Sequence, residues 1–306
     1  MTAGADFGFE TNGDEVVATF GHFITDKTVL ITGGSVKGLG ASAAIALAAK
    51  SPAHIILTAR SEGKIPPVFE EIKKKSPSTK TTFIPVKLND FKDVRRAAAD
   101  INAGVEKIDV LINNAGVMAI PYERIEGTIL EMTFATNHLG PFLLTGLLMD
   151  KVLTAASGSR IVNVSSSCHR FRYMRYDYNF SDGKTYDPWL AYGQSKTTNI
   201  LHVNSLSKYC GPAGVTAVSV HPGGIYNTSL TSHLNEETLN ACFAAAESWG
   251  GKHVFDPPKT HQQGIATMLV ASLIPEIPKY NGCYIKDCQV TGPVPHARSE
   301  EDVERL

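Results

Sequence analysis

Short apolar runs alternate with longer helix-like segments along most of the chain, and this alternation limits the folds open to it more than any other feature. The apolar runs are rich in Val and Ile and have the length of buried strands. They are Lys27–Thr32, His54–Thr58, Thr82–Val86, Asp109–Ile112, Arg160–Val164 and Val215–Val220. The helical candidates between and after them are Leu39–Lys50, Pro67–Lys75, Phe91–Val105, Thr128–Leu153, Tyr192–Tyr209 and His261–Leu273. The pattern predicts an α/β fold with a single doubly wound parallel sheet and helices on both faces.

The predicted sheet belongs to a single domain. The chain has 306 residues, and no linker-like segment divides it. We predict an N-terminal arm at residues 1–25, the α/β domain at residues 26–292, and a polar C-terminal tail at residues 293–306. In doubly wound folds the ligand site lies beyond the carboxyl ends of the strands, so the segments that follow the strands are the first candidates for function.

Composition argues against several classes of function. The net charge of −1 gives no electrostatic reason to expect a nucleic acid or an anionic membrane as partner. The most apolar stretch, Leu139–Met149, is shorter than the roughly 20 residues of a transmembrane helix, so we predict no transmembrane segment. Five scattered cysteines without CxxC spacing favour a reducing compartment, and the N-terminus lacks a signal-peptide pattern. We therefore predict a cytoplasmic protein.

The histidines do not indicate a metal site. There are ten of them, but none belongs to an HExxH motif or a Cys/His cluster. We expect His138, His169 and His221, which flank the motifs below, to be polar structural residues, and we predict no bound metal.

A glycine loop follows the first strand and precedes an Ala-rich helix. Its spacing, Gly34-x3-Gly38-x-Gly40, lets the backbone turn sharply and approach a pyrophosphate at the N-terminus of a helix. The loop is not a P-loop, because no Lys-Ser/Thr pair follows the last glycine. A tight strand-to-helix turn is the structural alternative. The position after the first strand favours a Rossmann-type dinucleotide site.

Two basic residues indicate which nicotinamide cofactor would bind. NAD enzymes of this architecture place an acid at the end of the second strand, but here that strand continues into Arg60, with no acid before Glu62. Lys37 lies inside the glycine loop. Both cations can pair with a 2′-phosphate, whereas solvated surface charges are the alternative interpretation. We predict NADP(H).

Tyr192 and Lys196 form a candidate catalytic pair. Their i,i+4 spacing places both side chains on one helix face. An ammonium group near a phenol favours the phenolate, so we expect Lys196 to lower the pKa of Tyr192. The tyrosine can then exchange a proton with a carbonyl oxygen. The same spacing also occurs in amphipathic surface pairs, so its weight depends on the residues around it.

Other polar residues follow the central strands. Ser166 comes after Arg160–Val164 and can hydrogen-bond a substrate oxygen, or it belongs to a turn of serines that satisfies backbone groups. Asn114 and Gly116 follow Asp109–Ile112, where a turn of small residues lets a cofactor pass close to the backbone. Asn137 enters an apolar helix, either as a structural amide or as part of a proton relay to Lys196.

In combination, these motifs resemble the short-chain dehydrogenase/reductase family. The glycine loop, Asn-Asn-Ala-Gly, Asn137, Ser166, Tyr192-x3-Lys196 and His221-Pro222-Gly223 occur in the family's order. The resemblance implies that Tyr192 is the acid/base, that Lys196 lowers its pKa and binds the nicotinamide ribose, and that Ser166 positions the carbonyl. It also implies an Asn137 water relay. The cofactor contacts that it implies are Gly34, Gly38, Leu39, Asn114, Gly116, Pro222 and Gly223. Val164–Phe171 and Gly282–Cys288 look like the branch of retinol dehydrogenases and the WW-domain-containing oxidoreductase.

The chain departs from the family pattern in three places. The glycine loop has one residue more than usual, so Gly34 rather than Gly33 is expected to be its first glycine. Lys87 stands where many members have an aspartate near the adenine, which leaves a backbone contact at Leu88. After the Pro-Gly turn, Thr228 is the residue expected to reach the carboxamide.

Two segments are candidate walls of the substrate pocket. The first is the long interval between Ser166 and Tyr192, which either lines a pocket for a ring-bearing substrate or forms a small satellite core. Its aromatic residues are Phe171, Tyr173, Tyr176, Tyr178, Phe180, Tyr186 and Trp189. The second is Leu230–Trp249, a region that family members use as a lid, or else an ordinary surface helix. Its apolar residues are Leu234, Leu239, Phe243 and Trp249.

The sequence thus predicts an NADPH-dependent carbonyl (ketone) reductase, or the reverse alcohol dehydrogenase, acting on a medium-sized lipophilic or aromatic small molecule. A cofactor-binding sensor or scaffold without turnover remains an alternative, although such a protein has no need of Tyr192, Lys196 and Ser166 together. A nucleotide-sugar epimerase or dehydratase is the second alternative. The helices Thr128–Leu153 and Tyr192–Tyr209 can pair between subunits, so a homo-oligomer is compatible with the sequence.

Overall fold

A computed structural model describes residues 6–155, 158–248 and 256–306, and within them one eight-stranded sheet has the order β3-β2-β1-β4-β5-β6-β7-β8. All neighbouring strands are parallel except the pair β7–β8, so the predicted doubly wound parallel sheet is confirmed. The strands are β1 (Thr28–Thr32), β2 (His54–Ala59), β3 (Lys80–Pro85), β4 (Val110–Asn113), β5 (Arg160–Val164), β6 (Thr216–His221), β7 (Tyr284–Lys286) and β8 (Gln289–Thr291). The strand order reverses between β1 and β4, which is where a doubly wound sheet opens its ligand crevice.

The helices cover both faces of the sheet, as the sequence predicts. In chain order they are α1 (Gly13–Phe20), α2 (Leu39–Ala48), α3 (Pro66–Lys75), α4 (Phe91–Gly104), α5 (Met132–Phe134), α6 (Gly140–Leu147), α7 (Met149–Thr154), α8 (Pro188–Cys210), α9 (Glu236–Ser248), α10 (His261–Leu273) and α11 (Glu300–Arg305). Helix α8 begins earlier than expected because the Asp187 carboxylate accepts hydrogen bonds from the N–H groups of Trp189 (2.9 Å) and Leu190 (2.8 Å).

Successive side chains of each strand point to opposite faces of the sheet, so the protein has one hydrophobic core on each face. On β1, Val29 and Ile31 join the cluster under α1, α2, α3 and α10. Leu30, between them, joins the cluster under α4, α6, α7 and α8. All three side chains are fully buried, so both faces of the strand are closed to water. A strand that is apolar on both faces can only be stable between two layers of helices, and this explains why the sequence shows continuous apolar runs.

The prediction of one unbroken helix over Thr128–Leu153 is wrong. The segment contains α5, a π-helical turn at Ala135–Leu139, α6 and α7. In the π turn the N–H of Gly140 reaches back to the carbonyl of Ala135, five residues away. Pro141, the next residue, has no N–H and cannot donate a hydrogen bond to the helix.

Both ends of the described chain pack against the sheet layers. Helix α1, from the predicted N-terminal arm, packs on α10 through Val16, Val17 and Phe20. The C-terminal segment forms a short 3-10 helix at Pro295–Arg298 and then α11, and both contact α8. The division into arm, domain and tail stays a prediction. No helix in the described ranges combines the length and apolarity needed to cross a bilayer.

Candidate active site

A cavity of about 770 Å³ opens at the carboxyl ends of the strands, where the fold predicts it. It brings together twelve of the sequence-predicted site residues. They are Gly38, Leu39, Arg60, Leu88, Asn114, Gly116, Ser166, Tyr192, Lys196, Pro222, Gly223 and Thr228. The remaining four, Gly34, Lys37, Gly40 and Asn137, lie behind the lining residues or beside the mouth, and each is placed below.

The glycine loop is shaped so that only glycine fits at its turning points. Gly33 has φ +75°, a left-handed conformation, and a Cβ added there would lie 2.8 Å from the amide nitrogen of Asn114. A Cβ on Gly40 would lie 2.6 Å from the carbonyl oxygen of Gly33. The loop therefore folds back closely on itself and leaves its backbone open to the cavity at the N-terminus of α2, as a pyrophosphate site requires.

The structure modifies the expectation for the first glycine. Gly33 lines the cavity, whereas a Cβ on Gly34 would meet the side chain of Leu57 at 2.8 Å. Gly34 thus packs against β2 and Gly33 faces the cavity. The extra residue of the loop is accommodated at Lys37, which has φ +66° and an exposed side chain.

Asn114 holds the glycine loop in place. Its side-chain nitrogen donates hydrogen bonds to the carbonyls of Thr32 (2.9 Å) and Gly33 (3.3 Å). In the other direction, the hydroxyl of Thr32 accepts from the N–H groups of Asn114 (3.0 Å) and Ala115 (3.1 Å). The ends of β1 and β4 are thereby joined across the point where the strand order reverses.

Two cations stand at the adenosine end of this site. Arg60 directly follows β2, is exposed and lines the cavity. Lys37 is exposed in the glycine loop but does not line the cavity. Within the described part of the chain neither side chain forms an ion pair, so both charges can meet an anionic ligand without breaking an existing contact. The backbone cradle and these cations fit a phosphorylated dinucleotide.

Tyr192, Ser166 and Lys196 converge at the other end of the cavity. All three are buried, with 4%, 9% and 3% of their surface exposed. The hydroxyl of Ser166 hydrogen-bonds Tyr192, and the ammonium of Lys196 lies 5.4 Å from the centre of the Tyr192 ring. Lys196 also donates to the carbonyl of Val164 at 3.0 Å. The predicted common helix face is thus present, and two hydroxyls face the space where a carbonyl oxygen would bind.

The direction of the tyrosine pKa shift differs from the expectation. Burial, followed by the nearby Cys168 thiol, raises the pKa of Tyr192 above its usual value, although the Ser166 hydrogen bond partly opposes this. Burial also lowers the pKa of Lys196 to about 8. The predicted lowering of the Tyr192 pKa is therefore wrong for these protein groups, because burial disfavours the charged phenolate. Tyr192 is protonated at neutral pH.

Asn137 occupies the π turn behind the site and does not line the cavity. Its carbonyl accepts from the N–H of Val117 (2.7 Å), and its NH₂ donates to the carbonyl of Val117 (2.8 Å) and the hydroxyl of Ser195 (3.0 Å). These bonds match the structural-amide alternative. A Cβ on Gly116 would lie 3.0 Å from Asn137 Oδ1 and 3.6 Å from Lys196 Nζ, so the amide is close to the lysine. The water relay stays a prediction.

Ser166 is supported by contacts that the sequence did not reveal. The imidazole Nδ1–H of His169 donates to the carbonyl of Ser166 at 2.6 Å. His169 is in turn held by the C-terminal segment, because Val294 N–H donates to its Nε2 (3.4 Å) and His296 Nε2–H donates to its carbonyl (2.8 Å). Part of the predicted polar tail therefore fixes the loop that carries Ser166.

The aromatic interval is mainly a satellite core. Of its seven aromatic residues, only Trp189 lines the cavity. The others contact one another and neighbouring elements, as when Tyr178 stacks on Phe134 and Phe180 packs edge-on against Tyr186. Local composition could not distinguish the two alternatives, because the choice depends on packing against α5.

Apart from Trp189, the apolar wall comes from two other segments. One is the stretch after β4, which the sequence analysis missed, although its apolar composition at a strand end was a usable signal. The other begins at the predicted Leu230–Trp249 region. The wall residues are Met118, Ile120, Pro121, Tyr122, Trp189, Leu230, Leu234 and Leu239. Phe243 is 46% exposed and does not line the cavity, and Trp249 lies outside the described residues.

Helix α9 covers this wall through three specific contacts. The indole N–H of Trp189 donates to the carbonyl of Thr238 at 2.8 Å. Just before α9, His233 donates to the carbonyl of Met118 at 2.9 Å. The thiol of Cys242 hydrogen-bonds that of Cys168, two residues after Ser166. The segment is therefore tied to the floor of the cavity. No cluster of three or more potential metal ligands occurs among the described residues.

A Rossmann-type sheet, a glycine cradle and a Tyr-Lys-Ser cluster define a nicotinamide-dependent oxidoreductase. The family model described as short chain dehydrogenase matches residues 27–239. The chain belongs to the short-chain dehydrogenase/reductase family, and its relatives place it in the retinol dehydrogenase-like branch.

Three relatives illustrate this placement. "Short-chain dehydrogenase TIC 32 B, chloroplastic" of Brassica napus is 38% identical over 283 residues, covering 89% of this chain and 84% of the relative. Human "Retinol dehydrogenase 11" is 35% identical over 280 residues, covering 92% and 83%. The crystal structure of an uncharacterised protein from Mycobacterium paratuberculosis is 29% identical, with a TM-score of 0.64 and coverage of 92% and 90%.

Proposed function

We propose that the protein is an NADPH-dependent carbonyl (ketone) reductase whose substrate is a medium-sized lipophilic or aromatic small molecule. The observation that carries the proposal is the convergence of the Ser166 and Tyr192 hydroxyls beside Lys196 in a cavity that also contains the glycine cradle. The reverse reaction, oxidation of the matching alcohol, uses the same groups.

The chemistry divides between the cofactor and the chain. When bound by the glycine cradle, NADPH would supply the hydride for the carbonyl carbon. Tyr192, held protonated by burial, donates its phenolic proton to the carbonyl oxygen, so that the product is a neutral alcohol. Ser166 donates a hydrogen bond to the same oxygen and orients it. Lys196 places a positive charge beside the tyrosine, which stabilises the phenolate left after proton transfer.

The preference for NADPH over NADH rests on Arg60 and Lys37. A planar guanidinium recognises a 2′-phosphate through two parallel hydrogen bonds, and Arg60 stands at the end of β2, where NAD enzymes carry an acid. The nearest acid along the chain, Glu62, is exposed and does not line the cavity.

The character of the substrate is inferred from the wall. Met118, Trp189, Leu230 and Leu234 present apolar surface to the space beside Tyr192. Such a wall favours ligands that bury hydrocarbon or ring surface, with their single polar group directed at the two hydroxyls.

The decisive experiment measures NADPH oxidation by the full chain against a panel of ketones, quinones and aldehydes, with NADH as a parallel cofactor. Tyr192→Phe is the matched control because it removes one oxygen atom and keeps the ring. We expect the variant to bind NADPH normally while its turnover falls by about 10²-fold or more. Retained turnover in the variant would refute the mechanism. NADPH binding without turnover of any carbonyl would favour the sensor or scaffold alternative.

Two further properties are proposed on the sequence alone. A cytoplasmic location would be tested by fractionating cells that express the chain. A homo-oligomer would be tested by sedimentation at several protein concentrations, where a constant monomer mass would contradict it.

A further inference from the structure

The turn after β6 is packed onto charged side chains. Strand β6 ends at His221, and Pro222, Gly223 and Gly224 follow along the cavity wall. Gly223 has φ +96°, and a Cβ there would lie 2.6 Å from Cδ of Lys259. The turn therefore has one face in the cavity and the other against the buried stem of Lys259.

His221 links the turn to a carboxylate. Its Nδ1 accepts the N–H of Gly223 at 3.4 Å, and its Nε2 lies 2.8 Å from Oδ2 of Asp256. Because Nδ1 accepts a hydrogen bond, the ring proton is assigned to Nε2, which donates to Asp256. Burial lowers the pKa of His221, which keeps this neutral tautomer in place at neutral pH.

Asp256 is itself anchored from the sheet. Its other oxygen forms an ion pair with Lys286 on β7, and only 13% of its side chain is exposed. Although burial raises the pKa of Asp256, the hydrogen bonds from His221 and Lys286 lower it overall, so the group is a carboxylate. The chain Lys286–Asp256–His221–Gly223 thus runs from the sheet edge to the cavity wall.

A second connection runs parallel to the first. Lys259 pairs with Asp287 at 2.5 Å, and its N–H donates to the carbonyl of Gly224 at 2.8 Å. The Pro222–Gly224 turn is consequently held by side-chain and backbone bonds from two segments distant in sequence.

We propose that His221 and Asp256 are positioning residues for the nicotinamide half of the cofactor. This inference rests on the proposed function, in which the nicotinamide would bind near Tyr192, in the cavity that the Pro222–Gly224 turn also lines. The His221–Asp256 pair sets where the turn stands, and a small displacement of a reacting group is costly in rate. The glycine cradle lies at the end of β1, and the hydrogen bonds of His221 and Asp256 go to Gly223, to each other and to Lys286 rather than to the cradle.

The test compares the whole cofactor with its adenosine half. Full-length wild type, His221→Ala and Asp256→Ala are titrated with NADPH and with adenosine 2′,5′-bisphosphate, which has no nicotinamide. We expect each variant to weaken NADPH binding about tenfold or more, as for loss of a hydrogen bond to a charged group, and to leave the fragment's affinity unchanged. In Asp256→Asn the remaining amide oxygen can still accept from His221, so its affinity should return towards wild type.

His54→Ala is the matched control. His54 is also buried and hydrogen-bonded, to Thr82 at 2.8 Å, but it lies at the amino end of β2 and does not line the cavity. Equal losses for NADPH and the fragment, or no loss for either, would overturn the positioning role. If wild type binds neither molecule, the proposed cofactor itself is wrong, which is a different result.

Discussion

At the scale of single residues, burial decides the chemistry of the site more than net charge does. Tyr192 and Lys196 are neighbours on one helix face, yet their pKa values shift because both lie out of water. For the phenol this means that the proton is retained, and for the ammonium that it is released more readily. In the mechanism that we propose, a Tyr192 that is protonated at neutral pH favours reduction over oxidation.

This arrangement predicts a pH profile. Carbonyl reduction at saturating NADPH should be constant from about pH 6 to 7 and decline as Lys196 loses its proton, with an apparent pKa of about 8. Tyr192 should not limit the rate in this range, because burial raises its pKa. Alcohol oxidation should be slow at neutral pH and rise with alkali. If the rate of reduction begins its decline at a pH lower than 7, the assignment of this decline to Lys196 is contradicted.

The choice of cofactor is tested at Arg60. We expect Arg60→Ala to raise the dissociation constant of NADPH about tenfold and to leave that of NADH unchanged, because only NADPH carries the 2′-phosphate. The measurement is fluorescence titration with each cofactor. Lys64→Ala is a control from the same exposed segment that does not line the cavity. Equal effects on both cofactors would argue against phosphate recognition.

At the scale of helices and strands, the sequence predicted the features that depend on local composition. Strands β1 to β6 were found because each contains a short run rich in apolar and β-branched residues, whereas β7 and β8 have only three residues each. The break in the Thr128–Leu153 segment was missed because the spacing of apolar residues does not show which backbone N–H groups bond to which carbonyls. Site residues at strand ends were found, since strand ends converge in this fold. The cavity wall was found only in part: Trp189, Leu234 and Leu239 were predicted, whereas the wall residues after β4 were missed, because the wall depends on how distant segments pack.

The C-terminal segment makes a prediction at this scale. His296→Ala removes the donor to the carbonyl of His169, whose ring holds the carbonyl of Ser166. We expect a loss of about 1 kcal/mol in the free energy of unfolding and a lower kcat with little change in NADPH affinity. Urea unfolding and steady-state kinetics measure both. A Glu301→Ala control removes a highly exposed side chain of α11 and should change neither. Unchanged kcat in His296→Ala would show that the support is dispensable.

At the scale of the whole molecule, stability depends on histidines buried in neutral form. Burial lowers the pKa of His54 and His138 to about 4, and that of His169 and His202 to about 3. In the unfolded chain a histidine titrates near 6.5. Below that pH the unfolded state binds more protons than the native state, so the free energy of unfolding falls as pH is lowered from about 6.5 towards 4.

We therefore predict marked acid sensitivity. Urea denaturation at pH 5.5 should give a free energy of unfolding at least about 1 kcal/mol lower than at pH 7.5. Replacing His138 by Gln should make this difference smaller, because one protonation site is removed. The matched control is His22→Gln, since His22 is exposed on the surface. Equal stability at the two pH values would show that the buried rings are protonated in the native state.

The π turn at Ala135–Leu139 bears on how chain length can change in this protein. An α-helix that gains one residue can absorb it as a π turn without disturbing the helix on either side. Deleting one residue here would restore a regular repeat and rotate everything beyond it by about 100°. Asn137 would then lose its alignment with Val117 and Ser195. We therefore expect insertions and deletions to be tolerated in the outer loops but to be destabilising in this turn. Here one residue more or less changes the direction in which every later side chain of the helix points.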